Sequence, residues 1–412
     1  MAAPSPRLVA TALAAVLAGC GGGEPTRGTD PPPERPPLAT PAAPGAPVYR
    51  VAPPPGKLPW PQHAPAFGAA EHAAMMRDLH LVNNFGLYQA REEGQRTGTY
   101  LHSGLDVVLR NGTPIHAVRA GWVRAVDQRV PSYKSLIVED ADAPGHGWGY
   151  VHVDDFRVRV GDYVPQGALL AHVQFRGVEH LHLNRLHLQP GGRWDDGGAT
   201  HTVSQPDTFF VYTDTEAPRF EGPFHYYPDE GAEAFARAPG GAATVSGDVD
   251  VVVGLRDPGE HARGRTPATS GLTDRLAVTR LEYAIVPLGA SDDATARARV
   301  LAFDLATLEI PRTRPGDEYT LAEVLFKYYR AVQPAGAPAW WETRTSYYVP
   351  TNAPPGGRPL LRADDRALSW RTAGRDAAGA PRWPNGAYVV TVWARDFRGN
   401  QAERADTVHV RN

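Results

Sequence analysis

The chain has 412 residues, 42 of them Lys or Arg and 45 Asp or Glu, for a formal charge of −3. So even a balance excludes the strong basic field of a nucleic-acid-binding surface, and the length suggests about two to three domains. Glycine and proline together make up about a fifth of the chain, against roughly 12 % on average, which favours turns and β structure over long helices. The single cysteine excludes an intramolecular disulfide and cysteine-ligated zinc, and no apolar run of about 20 residues marks a membrane-spanning helix.

Residues 1–20 read as an address rather than as part of the fold. Arg7 gives a short positive start, and residues 8–19 are almost wholly apolar or small, too short to span a bilayer but suited to a secretory hydrophobic region. The stretch ends in Leu17-Ala18-Gly19-Cys20 and resembles the bacterial lipoprotein signal. That resemblance implies cleavage before Cys20, lipidation of Cys20 and a membrane anchor there. Gly21 stands where inner-membrane lipoproteins of Gram-negative bacteria carry aspartate. The expected location is therefore the cell envelope, on the outer membrane facing the periplasm if the host is Gram-negative. Residues 21–66 hold 15 prolines and 6 glycines without hydrophobic periodicity, which predicts a disordered, partly polyproline II tether.

From residue 67 the texture changes. Residues 68–80 predict a short helix. Short strands follow over 103–108, 115–126 (broken at Gly121), 135–138, 148–153 and 158–173, with turns at Asn111-Gly112, Gly161 and Gly167. Strands this short with turn signals this frequent predict an all-β domain over 67–213. A second domain, 218–412, is expected to be a β-sandwich. Val245, Val249, Val251 and Val253 alternate, as do Leu281, Tyr283 and Ile285, and Tyr388, Val390, Val392 and Ala394. Its one helix is predicted over 317–332, with Leu321, Val324, Leu325 and Tyr328 on one stripe. The last two strands, around the Asp396–Asn400 turn, resemble the end of immunoglobulin-like or fibronectin-like sandwiches. The aromatic pairs Tyr328-Tyr329, Trp340-Trp341 and Tyr347-Tyr348 are expected to pack in the core.

The chemistry concentrates in histidine. Eight of the 15 histidines lie between residues 102 and 187, well above an even spread. His102-Ser-Gly-Leu-Asp106 sets an imidazole and a carboxylate either side of a glycine, which lets the backbone turn sharply so that both converge. His180-Leu-His182 puts two imidazoles on one face of a strand, and Tyr150-Val-His152 adds another on a neighbouring strand. Two histidines and a carboxylate suit a tetrahedral zinc with one position open, and two further histidines beside them can move protons. A His-x-His on a strand also arises without a metal, so spacing alone leaves both readings open.

Taken together, residues 84–188 are similar to the lysostaphin-type zinc peptidases, which act on peptidoglycan. The likeness runs in order through Asn84-Phe-Gly86, His102-Ser-Gly-Leu-Asp106, Gly112-Thr-Pro-Ile-His-Ala117, Ala120-Gly-Trp-Val123, Gly149-Tyr-Val-His152, Val160-Gly-Asp-Tyr-Val-Pro-Gln-Gly167 and His180-Leu-His182. The resemblance implies a flattened antiparallel β peptidase domain in a mainly β chain. It further implies that His102, Asp106 and His182 bind Zn2+, and that His152 and His180 are the catalytic pair. The substrate it implies is a peptide bond in the stem or cross-bridge of peptidoglycan. A non-catalytic member that activates or recruits another wall hydrolase is the alternative; such proteins usually lack a metal ligand, and all five positions are filled here. His116, His146, His172 and His187 are expected to be surface or packing residues.

Overall fold

A computed structural model describes residues 47–412 except 91–98, 132, 176–178, 196–199, 238–240, 259–275, 291–297, 312–321, 334–344 and 353–362. Cys20, the expected signal segment and Trp340-Trp341 lie outside the described residues. The described chain is mainly β, built from several antiparallel sheets. Among the described residues no helix is long and apolar enough to cross a membrane.

The largest sheet has nine strands and carries Asp106, His180 and His182. Its order is Leu81–Asn83, Leu105–Val108, His180–Leu188, His146–Val151, Ser135–Asp140, Gly121–Asp127 and Tyr163–Val164. His180–Leu188 is long enough to use one edge twice: residues 180–183 pair with Leu105–Val108, and residues 185–188 pair with His201–Ser204. Pro114–His116, Leu169–Val173 and Val153–Asp154 form a separate three-stranded sheet. The strand expected over 115–126 is thus two strands in two sheets, divided near the Gly121 break. Between the sheets lies a core of Leu105, Val107, Ile115, Val123, Leu136, Trp148, Tyr150 and Leu181, all fully buried. Each large aliphatic side chain there contributes about 1.5–3 kcal/mol by leaving water.

The expected helix over 68–80 forms as Ala69–Asp78. The segment before it corrects the tether expected over 21–66. Residues 47–66 are packed on the sheet domain: Trp60 stacks on Phe210 at 4.5 Å, its indole N–H donates to the Val211 carbonyl at 2.7 Å, and His63 is buried. A proline-rich strand needs no ladder partner, so a few buried anchors suffice to hold it.

Downstream, a four-stranded sheet (Arg219–Pro228, Asp248–Arg256, Ser346–Tyr348, Trp370–Arg371) faces a five-stranded one (Ala243–Val245, Gln401–Val410, Gly386–Arg395, Arg280–Pro287, Val300–Asp304). Both contribute to one apolar core that includes Val249, Val251, Val253, Leu281, Val390, Val392 and Val408. Three expectations change here. Val245 and Val249 belong to different sheets, because the chain turns at Gly247 between them. In Arg280–Pro287 the buried residues are Leu281, Ala284 and Val286, while Tyr283 and Ile285 are only half-buried. The helix expected over 317–332 is interrupted: residues 322–325 are helical, Phe326 bridges to Tyr348, and a separate turn spans Tyr329–Val332. Phe326 is 3 % exposed and 4.6 Å from the Tyr348 ring, so burial of this aromatic overrides helical continuity. Tyr347 and Tyr348 are core residues, as expected, and Phe224, Tyr226 and Tyr227 join them from Arg219–Pro228.

The two halves share more than a linker. Phe85, Leu87, Tyr88 and Leu101 pack in the downstream core, Leu276 packs in the upstream one, and Ile310–Pro311 adds a strand to His201–Ser204.

One buried carboxyl makes the downstream fold pH-sensitive. Burial pushes Asp250 up to about 7, only partly opposed by Lys327 at 3.6 Å. A folded-state pKa above the unfolded one means that Asp250 favours folding below about pH 4, and that this contribution is lost as pH rises through about 7. At about 1.4 kcal/mol per pH unit the effect is bounded near about 4 kcal/mol. Asp250→Asn is expected to gain stability relative to the unmutated chain between pH 4 and pH 8, read from paired thermal melts; a difference that stays constant across that range refutes the assignment.

Candidate metal centre

The pairing of three strands builds the site. Asp106 lies opposite His182 in the ladder, and Val151, the residue before His152, lies opposite His182 on its other side. The period of two then brings His180 and His182 to the same face as Asp106. His182 Nδ1 is 2.7 Å from Asp106 Oδ1, His102 Nε2 is 3.1 Å from Asp106 Oδ2, and one donor atom from each of the three lies within 4.8 Å of the other two. His180 Nε2 is 3.7 Å from Asp106 Oδ1, and its ring is 4.6 Å from that of His152. The structure therefore gathers all five residues that the motifs singled out. His102, Asp106, His152 and His180 are each about 95 % buried.

Gly104, inside the His-x-Gly-x-Asp motif, has a different reason from the one expected. Its φ is not positive; instead a Cβ there would sit 2.4 Å from the Leu183 carbonyl oxygen. The glycine lets the loop close onto the histidine strand rather than turn sharply.

Polar neighbours hold the donors in place. His102 Nδ1–H donates to the Asn84 carbonyl at 3.0 Å, which turns the other ring nitrogen, Nε2, toward Asp106; burial lowers the His102 pKa, but the Asp106 carboxylate more than offsets this and raises it. Asn83 Nδ2–H donates to Asp106 Oδ2 at 2.6 Å. Burial pushes the Asp106 carboxyl up, but the adjacent His102 and His180 more than offset this and hold it well below the usual carboxylate range. Burial lowers His182 to about 4 against the opposing pull of Asp106, so its imidazole is neutral near pH 7. One carboxylate and two imidazoles, convergent and largely buried, suit a three-ligand divalent transition-metal site.

Two contributors carried no motif signal. Phe175 packs on both candidate catalytic imidazoles, 4.1 Å from His152 and 5.0 Å from His180 between ring centroids. Tyr133 approaches His152 at 5.2 Å from a loop. His152 has φ of 65°, a left-handed conformation that costs a non-glycine residue about 1–2 kcal/mol. Hydrogen bonds from its N–H to the Lys134 carbonyl and from Gln174 N–H to its own carbonyl, 3.0 and 2.8 Å, hold it there. Such strain concentrates at functional sites. A groove of about 470 Å3 adjoins the site, lined by Tyr133, Gly149, Val151, Asn184, Leu186 and Trp194.

Residues 100–191 match the model of Peptidase family M23. The matched segment contains every residue of the constellation. No curated protein matches the chain. Among solved structures, the catalytic domain of lysostaphin from Staphylococcus simulans is similar at 22 % identity, covering 33 % of this chain and 96 % of that one, with a TM-score of 0.26. A mutant catalytic domain of the prophage-encoded M23 protein EnpA from Enterococcus faecalis is similar at 23 % identity over 35 % of this chain and 96 % of its own, TM-score 0.25. A zinc-containing peptidase from Vibrio cholerae is similar at 23 % identity over 26 % of this chain and 33 % of that one, TM-score 0.22. The other four histidines of the matched stretch lie outside the constellation. His146 and His187 contact each other at 4.4 Å, His187 pairs with Glu309 at 2.8 Å, His172 with Asp155 at 3.1 Å, and His116 faces the Pro61 carbonyl.

Proposed function

We propose that this chain is a zinc metalloendopeptidase that hydrolyses peptide bonds in peptidoglycan stem peptides or cross-bridges, anchored in the cell envelope through lipid on Cys20. The observation that carries this reading is the convergence of His102, Asp106 and His182, with His152 and His180 at their side, inside the segment that matches Peptidase family M23. His102 Nε2, an Asp106 oxygen and a His182 ring nitrogen would hold the metal. Bound there, zinc supplies Lewis-acid polarisation of a scissile carbonyl and acidifies water.

The protein side of the chemistry belongs to the two other imidazoles. His180, packed against Phe175, takes a proton at Nε2 from the attacking water, a role worth about 10²–10⁴-fold in rate, and one of the two histidines protonates the leaving amine as the C–N bond breaks. His152 donates to the oxygen on which negative charge develops, and its strained backbone fixes the ring beside His180. The burial of both keeps these interactions in a low dielectric, where they are stronger than in water. An extended peptide substrate would lie in the adjoining groove across Gly149, where a side chain would meet Leu186 at 3.1 Å. Intact ligands and an intact proton-handling pair favour this reading over that of a non-catalytic activator.

The test is mass spectrometry of muropeptides released from sacculi by the purified, zinc-loaded chain beside its His180→Ala variant. New amino termini that appear only with the unmutated chain are expected, and they name the bond cut. No release from a chain that binds zinc stoichiometrically would reject the enzyme reading.

A further inference from the structure

Asn84 stands between the metal centre and the C-terminal half of the molecule. Its carbonyl accepts the Nδ1–H of His102 at 3.0 Å. Its side chain is held at both ends by one backbone position 193 residues away: Ala277 N–H donates to Asn84 Oδ1 at 2.6 Å, and Asn84 Nδ2–H donates to the Ala277 carbonyl at 3.2 Å. Asn84 is fully buried. This two-point contact fixes the orientation of the peptide whose oxygen orients the imidazole.

The flanking residues point the same way. Asn83 holds the second donor, Asp106, at 2.6 Å. Phe85 is fully buried in the core it shares with Val278, Leu281 and Leu305. Gly86 has φ of +80°, and a Cβ on it would lie 2.5 Å from Leu305 Cδ1, so the turn is seated directly against the C-terminal half. Gly86 N–H donates to the His102 carbonyl, and His102 N–H donates to the Leu87 carbonyl, both at 2.8 Å. The turn therefore grips His102 by its backbone as well as its ring. Ala277 in turn sits between Leu276, part of the upstream core, and Val278, whose N–H donates to the buried Tyr348 hydroxyl at 3.1 Å.

We propose that Asn84 is a positioning residue through which the C-terminal domain holds the ligand His102, making that domain a structural part of the metal centre. The inference rests on the reading of His102, Asp106 and His182 as metal ligands. Residues that orient a metal-binding histidine typically contribute 10–100-fold in affinity. A well-positioned carbonyl keeps the Nε2 lone pair on target and makes the imidazole a better donor; a drifting carbonyl does neither.

The experiment uses the full chain and competition with a chromophoric chelator for zinc. Asn84→Ala and Asn84→Ser are each expected to weaken zinc binding about 10- to 100-fold. Val390→Ala, which destabilises the same C-terminal core but takes part in none of the hydrogen bonds around Asn84, is expected to leave zinc affinity within about twofold. Hydrogen exchange on the unmutated chain gives a readout free of folding defects: zinc is expected to slow exchange of the Ala277 amide. Folded Asn84 variants that bind zinc within about twofold of the unmutated chain overturn the proposal, as does an Ala277 amide whose exchange ignores zinc while the amides of residues 102–106 respond. An unmutated chain that binds no zinc would instead remove the metal reading on which the proposal rests.

Discussion

The His180→Ala variant is expected to bind zinc as the unmutated chain does and to lose about 10²–10⁴-fold in peptidase rate, whereas Asp106→Ala loses the metal itself. The geometry separates the two roles. The three donor atoms that gather within 4.8 Å come from His102, Asp106 and His182, without His180. Asp106 is the hub of that set, 2.7 Å from one imidazole and 3.1 Å from the other. Removing it leaves one buried and one part-buried histidine with no anion between them, and one carboxylate fewer to hold a dication. Removing His180 leaves the donor set whole and deletes a proton acceptor that lies against Phe175. Zinc content by atomic emission, paired with the rate of muropeptide release, reads both properties on the same sample. Loss of zinc from His180→Ala would place that histidine among the ligands and contradict the assignment.

A second large effect lies away from the chemistry. Asp140→Ala is expected to destabilise the chain by about 3–5 kcal/mol, because it strands a buried cation. Arg185 sits on the strand that begins with His180 and His182, and its side chain is 5 % exposed. Its guanidinium donates to Asp140 at 2.8 Å and lies 5.0 Å from the centre of the Trp148 ring and 5.4 Å from that of Phe209. Asp140 has no exposed side-chain surface, and it also accepts from Arg119 at 3.1 Å. The desolvated pair is held by geometry, and deleting one member forfeits the attraction while the cost of burying the other remains. Replacing both by apolar groups, Asp140→Leu with Arg185→Met, is expected to cost much less than Asp140→Ala alone. Denaturant titrations of the single and double variants decide the matter: a double variant at least as unstable as the single one would show that packing, not the buried charge, dominates.

Much of the candidate metal centre was legible because its parts are local. His180 and His182 are two apart, so the strand period alone presents them on one face, and His102 and Asp106 are four apart across the short Gly104 loop. The order of the motifs along residues 84–188 added what spacing could not, since a His-x-His by itself is common on strands. Phe175, Tyr133 and Asn84 were not legible as parts of the site. Each acts through a ring contact or a hydrogen bond that no period announces, although Asn84 stood inside the recognised Asn-Phe-Gly turn. The helix expected over 317–332 failed for a related reason: its described part is broken where Phe326 exchanges helical continuity for a place in the core beside Tyr348.

By itself the sequence determined the mainly β character of the chain, from its turn spacing and alternation, and the kinds of ligand atom at the site, from the histidine-rich motifs. Both follow from short-range rules, the strand period of two and the chemistry of imidazole and carboxylate. Only the tertiary structure decided which imidazoles meet Asp106, why Gly104 is a glycine, and that residues 47–66 pack on the domain. It alone joined Asn84 to Ala277 across 193 residues and drew Ile310–Pro311 into the sheet of the metal centre. Those contacts depend on how two cores close against each other, and packing between distant segments leaves no periodic trace in either of them.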